Sequence, residues 1–481
     1  MIFSSPIFIF LFLPITFSVY HILNKIHSFS AKIFLVLASL FFYAYWNVSY
    51  LPIILISIIV NYTIGSFLRH YKNKSLLIIG ITLNTASIVY YKYADFFLEN
   101  INHLFKTNIP LLQLLLPLGI SFFTFQQIAF LIDTYRNDIA STKNSFIDYA
   151  LFITFFPQLI AGPIVSHKQI LPQLVNLKVS KAVFSENMVK GLFAFSLGLF
   201  KKVAIADSLA IWVKHGFNQE SLHFFEAWQT SLAYTLQLYF DFSGYSDMAI
   251  GLALFFNIIL PHNFNSPYKA TSIQDFWRRW HITLSHFLLT YLYIPLGGNR
   301  KGNIRTYLNL LITFTLGGLW HGAGWTFLLW GLLHGGALVI HRIWRQLGFH
   351  MHKIIGWMMT FSFVNFAWIF FRAETFTDAK KIIKGMIGLN GFGGLKPTII
   401  DAITSIFIES IEPLGFITIP LSLLYIISGM AIALFTKNIQ ERLDHFIPSL
   451  KNLVLALFSF FWVYLVFIGG NVTPEFLYFN F

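Results

Sequence analysis

The sequence predicts an all-α, polytopic integral membrane protein. Of its 481 residues, 56% are hydrophobic and only 11% are charged, and the mean hydropathy is +0.66. A soluble globular chain carries about 25% charged residues, because its surface must stay hydrated. The apolar segments are continuous runs and lack the alternating pattern of a membrane β-barrel. These observations exclude a disordered chain, a coiled coil and an ordinary soluble enzyme.

The apolar runs follow one another along the whole chain. A helix needs about 20 apolar residues to cross the roughly 30 Å hydrocarbon core. The first run lacks the basic start and the cleavage site of a signal peptide, so we expect it to be a retained helix. Because several runs are short or broken by Gly and Pro, we predict about 10–12 transmembrane helices, with re-entrant and interfacial helices, in one domain over residues 1–481. The runs lie near 2–20, 31–46, 51–68, 76–91, 111–132, 149–166, 190–213, 228–260, 283–296, 306–319, 323–342, 355–371, 416–436 and 452–470.

Two segments in the first half of the chain depart from this pattern. Residues 133–148 (DTYRNDIASTKNSFID) are polar and are expected to form a loop. The stretch PQLIAGPI at 157–164 contains Pro157, Gly162 and Pro163, which interrupt a helical hydrogen-bond ladder. Such a stretch predicts a broken or re-entrant helix, enclosed by protein at membrane depth.

Two further segments lie in the second half. Residues 261–305 carry a net charge of +5, so the positive-inside rule predicts a basic loop that is cytoplasmic or re-entrant. Residues 372–415 begin as an amphipathic stretch and continue into a Gly-rich turn. That pattern predicts a segment that lies in the membrane interface.

Charge and cysteine content narrow the chemistry. The net charge is +13 and the isoelectric point is near 9.6. The cations lie in short loops between apolar runs, which is typical of the positive-inside bias, and we therefore predict no nucleic-acid partner. The chain has no cysteine, which excludes disulfides, thiolate metal sites and a cysteine nucleophile.

One histidine stands where the hydrophobic pattern should forbid it. His321 lies in LGGLWHGAGWTFLLWGLLHG, with apolar residues on both sides. An ionisable residue at membrane depth indicates a functional site, because its burial is costly without a partner or a wet cavity. The alternative is a neutral histidine that hydrogen-bonds between helices. The glycines at 317, 318, 322 and 324 leave open space around the ring and favour the functional interpretation.

The string QDFWRRWH in the basic loop is a second candidate. Arg278 and Arg279, with the neighbouring Trp277 and Trp280, are the predicted donor-binding residues. The two arginines are suited to a phosphate-bearing donor, because the guanidinium group binds phosphate through two parallel hydrogen bonds. His281 would then be a second polar group of the same cavity. The alternative is an interfacial aromatic belt of Trp277 and Trp280 with arginines that extend to the membrane surface.

Two carboxylates lie in the long apolar run YTLQLYFDFSGYSDMAIG. A metal pair at Asp241 and Asp247 is conceivable, but no His or Glu accompanies them at ligand spacing. We therefore predict no metal site and expect these groups to support the fold or to line a polar cavity.

Four motifs in fixed order carry a family resemblance: LIAGPIVSHKQILPQL, YFDFSGYSDMAIG, QDFWRRWHITLS and LWHGAGWTFLLWGLLHG. With them the chain resembles the membrane-bound O-acyltransferase (MBOAT) family, in the branch of bacterial alginate and peptidoglycan O-acetylation membrane proteins. The resemblance implies tilted helices around a central tunnel. It also implies that His321 is the family's invariant histidine and that His281 is its second conserved polar position.

The resemblance further implies the reaction and its partners. Acetyl-CoA is the implied cytoplasmic donor, and no cofactor is expected to stay bound. The acetyl group would cross the bacterial inner membrane to a periplasmic, serine esterase-like transferase, which completes O-acetylation of a cell-wall polysaccharide. We expect peptidoglycan as the acceptor, with alginate or another exopolysaccharide as the alternative. A transporter or flippase of an acylated intermediate is the alternative from another class.

The chain ends in FLYFNF, and this motif at 476–481 contains one hydroxyl, that of Tyr478. The tyrosine of a similar aromatic terminus in related systems is proposed to carry the acyl group, so the resemblance makes Tyr478 a third catalytic candidate. His321 would then be its base, since a phenol with a pKa near 10 is a weak nucleophile until it loses its proton. The alternative is an aromatic residue that anchors the terminus at the membrane surface.

Overall fold

The computed structural model describes residues 1–136, 145–175, 177, 179–393, 421–468 and 477. In these ranges the chain is helical and contains no β-strand, which confirms the predicted all-α class. The α-helices are α1 (Leu13–Ile26), α2 (Ser28–Ala44), α3 (Leu51–Tyr71), α4 (Lys74–Ile88), α5 (Ala94–Phe105), α6 (Ile120–Tyr135), α7 (Phe146–Thr154), α8 (Phe156–Leu159), α9 (His167–Val175), α10 (Lys181–Leu199), α11 (Asp207–Asn218), α12 (Phe224–Phe255), α13 (Ile273–Arg279), α14 (Ile282–Leu288), α15 (Gly302–His321), α16 (Trp325–Gln346), α17 (Lys353–Arg372), α18 (Phe376–Met386), α19 (Leu421–Phe435), α20 (Ile439–Asp444) and α21 (Leu450–Ile468).

Short helical segments of other types connect several of these helices. Turns of 3₁₀-helix precede α3 and α13, at Val48–Tyr50 and Pro267–Lys269. Four π-helical segments continue neighbouring α-helices without a break in the helical path: Phe8–Phe12, Val89–Tyr93, Phe200–Ala206 and Leu289–Tyr293.

Length and apolarity identify five candidate membrane spans among the described residues. They are Phe8–Ile26, Val48–Tyr71, Lys74–Phe105, Trp325–Gln346 and Lys353–Arg372. Four shorter apolar helices accompany them, at Ser28–Ala44, Ile282–Tyr293, Leu421–Phe435 and Leu450–Val466. The protein is therefore a multi-pass membrane protein.

The number of 10–12 transmembrane helices stays a prediction, and among the described residues the protein itself encloses part of the predicted runs. The clearest case is α12, which has 32 residues and is buried almost throughout from Ala227 to Leu254. It packs against α10, α11, α17, α18 and α19. Neighbouring helices, and not lipid, therefore surround the polar residues of this run.

Two pairs of facing glycines let α10 and α12 approach closely. A Cβ atom on Gly198 would lie 2.6 Å from the carbonyl oxygen of Gly244, and one on Gly251 would lie 2.6 Å from that of Gly191. Small residues at such contacts are the usual means of close packing between membrane helices. The pairing fixes α12 as the central element against which the remaining helices pack.

The antiparallel pair α15 and α16 is held in the same way. A Cβ atom on Gly318 would lie 2.3 Å from the carbonyl oxygen of Phe327, and one on Gly331 would lie 2.3 Å from that of Phe314. The turn between the two helices, from Gly322 to Gly324, is extended at both glycines. His321, the last residue of α15, therefore lies at the closed end of a tightly packed helical hairpin.

Helices occupy part of each of the four irregular segments, in the residues that the structure describes. The stretch 157–164 consists of the end of the short helix α8 and buried irregular backbone, as expected for a broken helix. Within 133–148, α6 continues to Tyr135 and α7 is preceded by a capping box at Ser145. The basic segment 261–305 folds into α13, α14 and the start of α15. In 372–415 the described part contains α18, whose apolar face packs on α12.

Candidate active site

His321 is buried, with 4% of its surface exposed, at the C-terminal end of α15. Its imidazole ring meets the rings of Trp330 and Phe371 edge-on at centroid distances of 5.1 and 5.0 Å, and that of Trp320 at 4.7 Å. The next residue, Gly322, leaves the helix in an extended conformation, and a Cβ atom there would lie 2.1 Å from the Phe327 ring. Aromatic walls on three sides and a glycine exit therefore fix the position of the imidazole.

The end of α15 is held from outside the hairpin by two residues of the π-helical segment Val89–Tyr93. The Lys92 ammonium donates hydrogen bonds to the carbonyl oxygens of Trp320 and His321, the latter at 3.1 Å. The Tyr93 hydroxyl donates to the carbonyl oxygen of Leu319 at 2.7 Å. The last four carbonyl groups of a helix have no partner within the helix, and these contacts supply one for three of the four.

His281 lies beside the same aromatic wall. It precedes α14 in a left-handed conformation, with φ of 43°, and is fully buried. Its ring meets Phe242 of α12 at 4.7 Å and Trp320 at 6.3 Å, so that Trp320 separates the two histidines. Burial lowers the pKa of the His281 imidazole to about 3, so this ring is neutral at physiological pH. The structure thus brings both predicted histidines together.

A third buried histidine belongs to this group. His334 of α16 accepts a hydrogen bond at Nδ1 from the Trp277 indole nitrogen, at 3.2 Å, and its ring lies 4.7 Å from that of Trp330. His281, His334 and Lys92 are all close enough to His321 to interact with it electrostatically. Sequence reasoning did not select His334 or Lys92. The signal for His334 was present, since it lies in the same glycine-rich motif as His321.

The residues predicted to bind the donor separate into different environments. Trp277 and Trp280 are buried, and Trp280 packs on Trp368 at 4.9 Å. Arg279 forms an ion pair with Asp275 at 2.9 Å and donates to the carbonyl oxygen of Asn265. Arg278, in contrast, is exposed and lines a cavity of about 660 Å³. The two tryptophans therefore do not form a belt at the membrane surface, and the two arginines differ in role.

We call that space the arginine cavity, because Arg342 and Arg345 of α16 line it together with Arg278. A second cavity, of about 1000 Å³, shares Arg278 and Arg345 with it and is mainly apolar. Three guanidinium groups around one opening form a site suited to an anion with several phosphates. Arg342 and Arg345 were not selected from the sequence, since they read as ordinary cations at a helix end.

Two smaller spaces lie at the other end of the hairpin. One, of about 30 Å³, is lined by His321, Trp320 and Lys92. The other, of about 290 Å³, is lined by Lys92, Asp95 and Gly322, and we call it the lysine cavity. Along α15, Thr313 lines the arginine cavity and precedes His321 by a helical rise of roughly 12 Å. His321 therefore lines the smallest space at the closed end of the α15–α16 hairpin, next to the lysine cavity, and the arginine cavity lies toward the other end.

The carboxylates of α12 are ion-paired with lysines. Asp247 binds Lys201 at 2.6 Å, and Asp241 binds Lys202 at 2.7 Å, with Asp207 on the same ammonium group. Buried charges of opposite sign satisfy one another in this way at membrane depth. Both carboxylates thus pair with lysines inside the helical core, which favours the expectation that they support the fold.

Tyr478 lies outside the described residues. Its neighbour Leu477 is buried, and the Leu477 backbone N–H donates to the second carboxylate oxygen of Asp241 at 3.1 Å. The chain therefore attaches to the central helix α12 one residue before the tyrosine.

Comparison with known proteins gives relatives over most of the chain. The family described as "MBOAT, membrane-bound O-acyltransferase family" matches residues 136–377. A peptidoglycan O-acetyltransferase of Helicobacter pylori is 51% identical over 425 residues, which cover 81% of this chain and 80% of that protein. A probable alginate O-acetylase of Pseudomonas putida is 42% identical over 80% of both chains. A teichoic acid D-alanyltransferase of Bacillus subtilis is 24% identical, over 54% of this chain and 69% of that protein.

Proposed function

The chain belongs to the membrane-bound O-acyltransferase family and is an acyltransferase, and from this premise we propose that it is the membrane subunit of a system that O-acetylates a cell-envelope polysaccharide. The resemblance seen in its motifs is confirmed by the family match. The observation that carries the proposal is the position of His321, which is buried at the closed end of the α15–α16 hairpin and lines the small space beside the lysine cavity, while the arginine cavity lies toward the other end of the hairpin.

The donor in this proposal is acetyl-CoA, which enters through the arginine cavity from the cytoplasm. Three features support it: the guanidinium groups of Arg278, Arg342 and Arg345, the volume of about 660 Å³, and the adjoining apolar space. Charge-assisted hydrogen bonds from arginine to phosphate would hold the nucleotide end. The thioester would then extend along α15 toward the buried histidine.

The proposed reaction is acyl transfer with His321 as the general base. The acceptor oxygen forms a bond to the acetyl carbonyl carbon, and the carbon–sulfur bond of the thioester breaks. The acceptor proton passes to the imidazole and from there to the CoA thiolate, which leaves as the free thiol. A neutral imidazole can accept a proton at one ring nitrogen and pass it on, which suits such a transfer. His281 would be a second polar group of the same cavity.

The first acceptor in this proposal is the Tyr478 hydroxyl. The chain offers no cysteine nucleophile, and a phenol activated by a base forms an ester with an acetyl group. Attachment of Leu477 to Asp241 supports the idea, because it brings the end of the chain to the central helix. Direct transfer from the donor to an outside acceptor is the alternative.

We propose peptidoglycan as the final acceptor and a periplasmic esterase-like transferase as the partner in the inner membrane system. The support is the 51% identity to a protein named peptidoglycan O-acetyltransferase, against 42% for one named alginate O-acetylase. Alginate or another exopolysaccharide is the second candidate. Acetylated glycan from a deletion strain that carries this gene distinguishes them, since only one polymer should regain its acetyl groups.

The central test is His321→Ala with His70→Ala as its control. His70 is an exposed histidine at the end of α3, and its Nδ1 donates to the Ser66 carbonyl oxygen at 2.9 Å. Loss of a general base costs about 10²- to 10⁴-fold in rate, so we expect His321→Ala to lose glycan acetylation and CoA release while it inserts into the membrane normally. His70→Ala should keep both.

The same assay separates an acetyltransferase from a transporter of an acylated intermediate. Purified protein in vesicles, with labelled acetyl-CoA, partner and acceptor, should release free CoA. Transport without cleavage of acetyl-CoA, or a His321→Ala variant within a few-fold of the unmodified protein, would contradict the proposed function.

A further inference from the structure

The end of the helix that carries His321 depends on a cation from another part of the chain. Three successive carbonyl groups, those of Leu319, Trp320 and His321, accept hydrogen bonds from Tyr93 and Lys92. A positive charge at a helix C-terminus also interacts favourably with the helix dipole. Because these contacts involve the backbone of His321 itself, they bear directly on where its imidazole lies.

The π-helical turn Val89–Tyr93 presents both donors to the same helix end. It lies within the continuous helical element Lys74–Phe105, which is one of the five candidate spans. A π-helical turn is rare and occurs frequently at functional sites. Lys92 also lies 5.8 Å from the centre of the Trp320 ring, as a cation over the aromatic face. The lysine therefore contacts both the backbone and the side-chain wall of the histidine site.

Lys92 also lines both of the small spaces near the histidine, together with Leu116. It lines the space of about 30 Å³ next to His321 and the lysine cavity next to Gly322. A lysine within a membrane span is costly and indicates function by default. A lysine could cap the end of any helix. This ammonium, however, also lines the small space that His321 lines.

We propose that Lys92 is a positioning residue for the acyl transfer: its ammonium holds the last turn of α15 so that the His321 imidazole stays aligned at the closed end of the α15–α16 hairpin. This inference rests on the proposed function of His321. The arginine cavity lies at the other end of the hairpin, so loss of Lys92 should slow the transfer and leave donor binding unchanged.

The test measures CoA release by purified protein with partner and acceptor, as kcat and as KM for acetyl-CoA. Lys92→Met removes the charge and all donors at similar length. Displacement of a catalytic group by about 1 Å can cost roughly 100-fold in rate, so we expect kcat to fall 10- to 100-fold with KM for acetyl-CoA within about twofold. Lys92→Arg keeps the charge and the donors and should restore at least a third of kcat.

Lys32→Met is the matched control. Lys32 is partly buried and forms an ion pair with Asp148 at 2.7 Å, away from α15. Its loss tests the effect of removing a buried lysine as such, and we expect kcat near that of the unmodified protein. Tyr93→Phe removes only the hydrogen bond to Leu319 and should lower kcat less than Lys92→Met does, which keeps the proposal testable if Lys92→Met does not fold.

Three results would each overturn the positioning role. They are a kcat of Lys92→Met within threefold of the unmodified protein, a Lys92→Arg variant as inactive as Lys92→Met, and a loss of activity that appears as a raised KM for acetyl-CoA. Failure of the proposed function has a separate signature, since His321→Ala would then remain active whatever Lys92 does.

Discussion

Replacement of Gly318 by alanine should lower the activity of the protein much more than its stability, because it shifts the helix end that carries His321. A Cβ atom there would lie 2.3 Å from the Phe327 carbonyl oxygen, and real Cβ atoms essentially never approach closer than 3.0 Å. The two helices would therefore have to separate by about 0.7 Å, three residues before His321. Forcing extra atoms into a packed contact costs about 1–3 kcal/mol, from which the better helix propensity of alanine subtracts about 1 kcal/mol.

The effect on activity should exceed the effect on stability. A shift of this size at the base of the imidazole can cost roughly 100-fold in rate. The assay is CoA release by protein purified in detergent, beside its thermal unfolding temperature. We expect a small loss of stability and a large loss of kcat.

The adjacent glycine provides the control for Gly318→Ala. A Cβ atom on Gly317 would meet only the Leu288 Cδ1 methyl, at 3.3 Å, and the end of a flexible side chain can move by a few tenths of an ångström. Gly317→Ala should therefore be as stable as the unmodified protein or more so, and active. If Gly318→Ala matches Gly317→Ala in both stability and kcat, the close packing of α15 on α16 does not position His321, and the reasoning is refuted.

The remaining predictions concern the donor and the end of the chain. Arg278→Ala should raise KM for acetyl-CoA, because Arg278 lines the arginine cavity. Arg279→Ala should leave this KM unchanged, because Arg279 pairs with Asp275. Equal KM values for both variants and the unmodified protein would contradict donor binding and favour arginines that extend to the membrane surface. Tyr478→Phe should abolish transfer if the phenol carries the acetyl group, whereas loss of a single hydrogen bond would cost only about 1 kcal/mol. Digestion after incubation with labelled acetyl-CoA should give an acetylated C-terminal peptide that His321→Ala lacks, and full activity of Tyr478→Phe would end the covalent hypothesis.

The sequence predicted the membrane class and His321 because these depend on local composition, whereas His281 was selected through its motif and the family resemblance. A histidine among apolar residues is conspicuous in any order of helices, and His321 and His281 prove to share the Trp320 wall. The number of spans is harder to predict, because apolarity alone does not tell a lipid-facing helix from one that other helices enclose. The fold of α12 shows the difference, since its carboxylates find lysines on the neighbouring π-helical segment Phe200–Ala206.

The arginine pair shows a second limit of sequence reasoning. Arg278 and Arg279 are adjacent and chemically alike, so from the sequence both were predicted to bind the donor. Successive residues of a helix point in different directions, and the i, i+4 spacing places Asp275 beside Arg279 only. The i, i+4 spacing of Asp275 and Arg279 can be seen in the sequence. That Arg342 and Arg345 of α16 line the arginine cavity depends on the tertiary fold.

Lys92 is the residue that sequence reasoning had least means to find, because its importance comes from a contact 229 positions away. In the sequence it is a single cation among tyrosines at the end of an apolar run, where a lysine that extends to the membrane surface is the ordinary interpretation. Only the fold brings this ammonium to the end of α15 and leaves it beside the imidazole. The histidine can be read from composition, but the group that holds it in place is determined by how two distant helices meet.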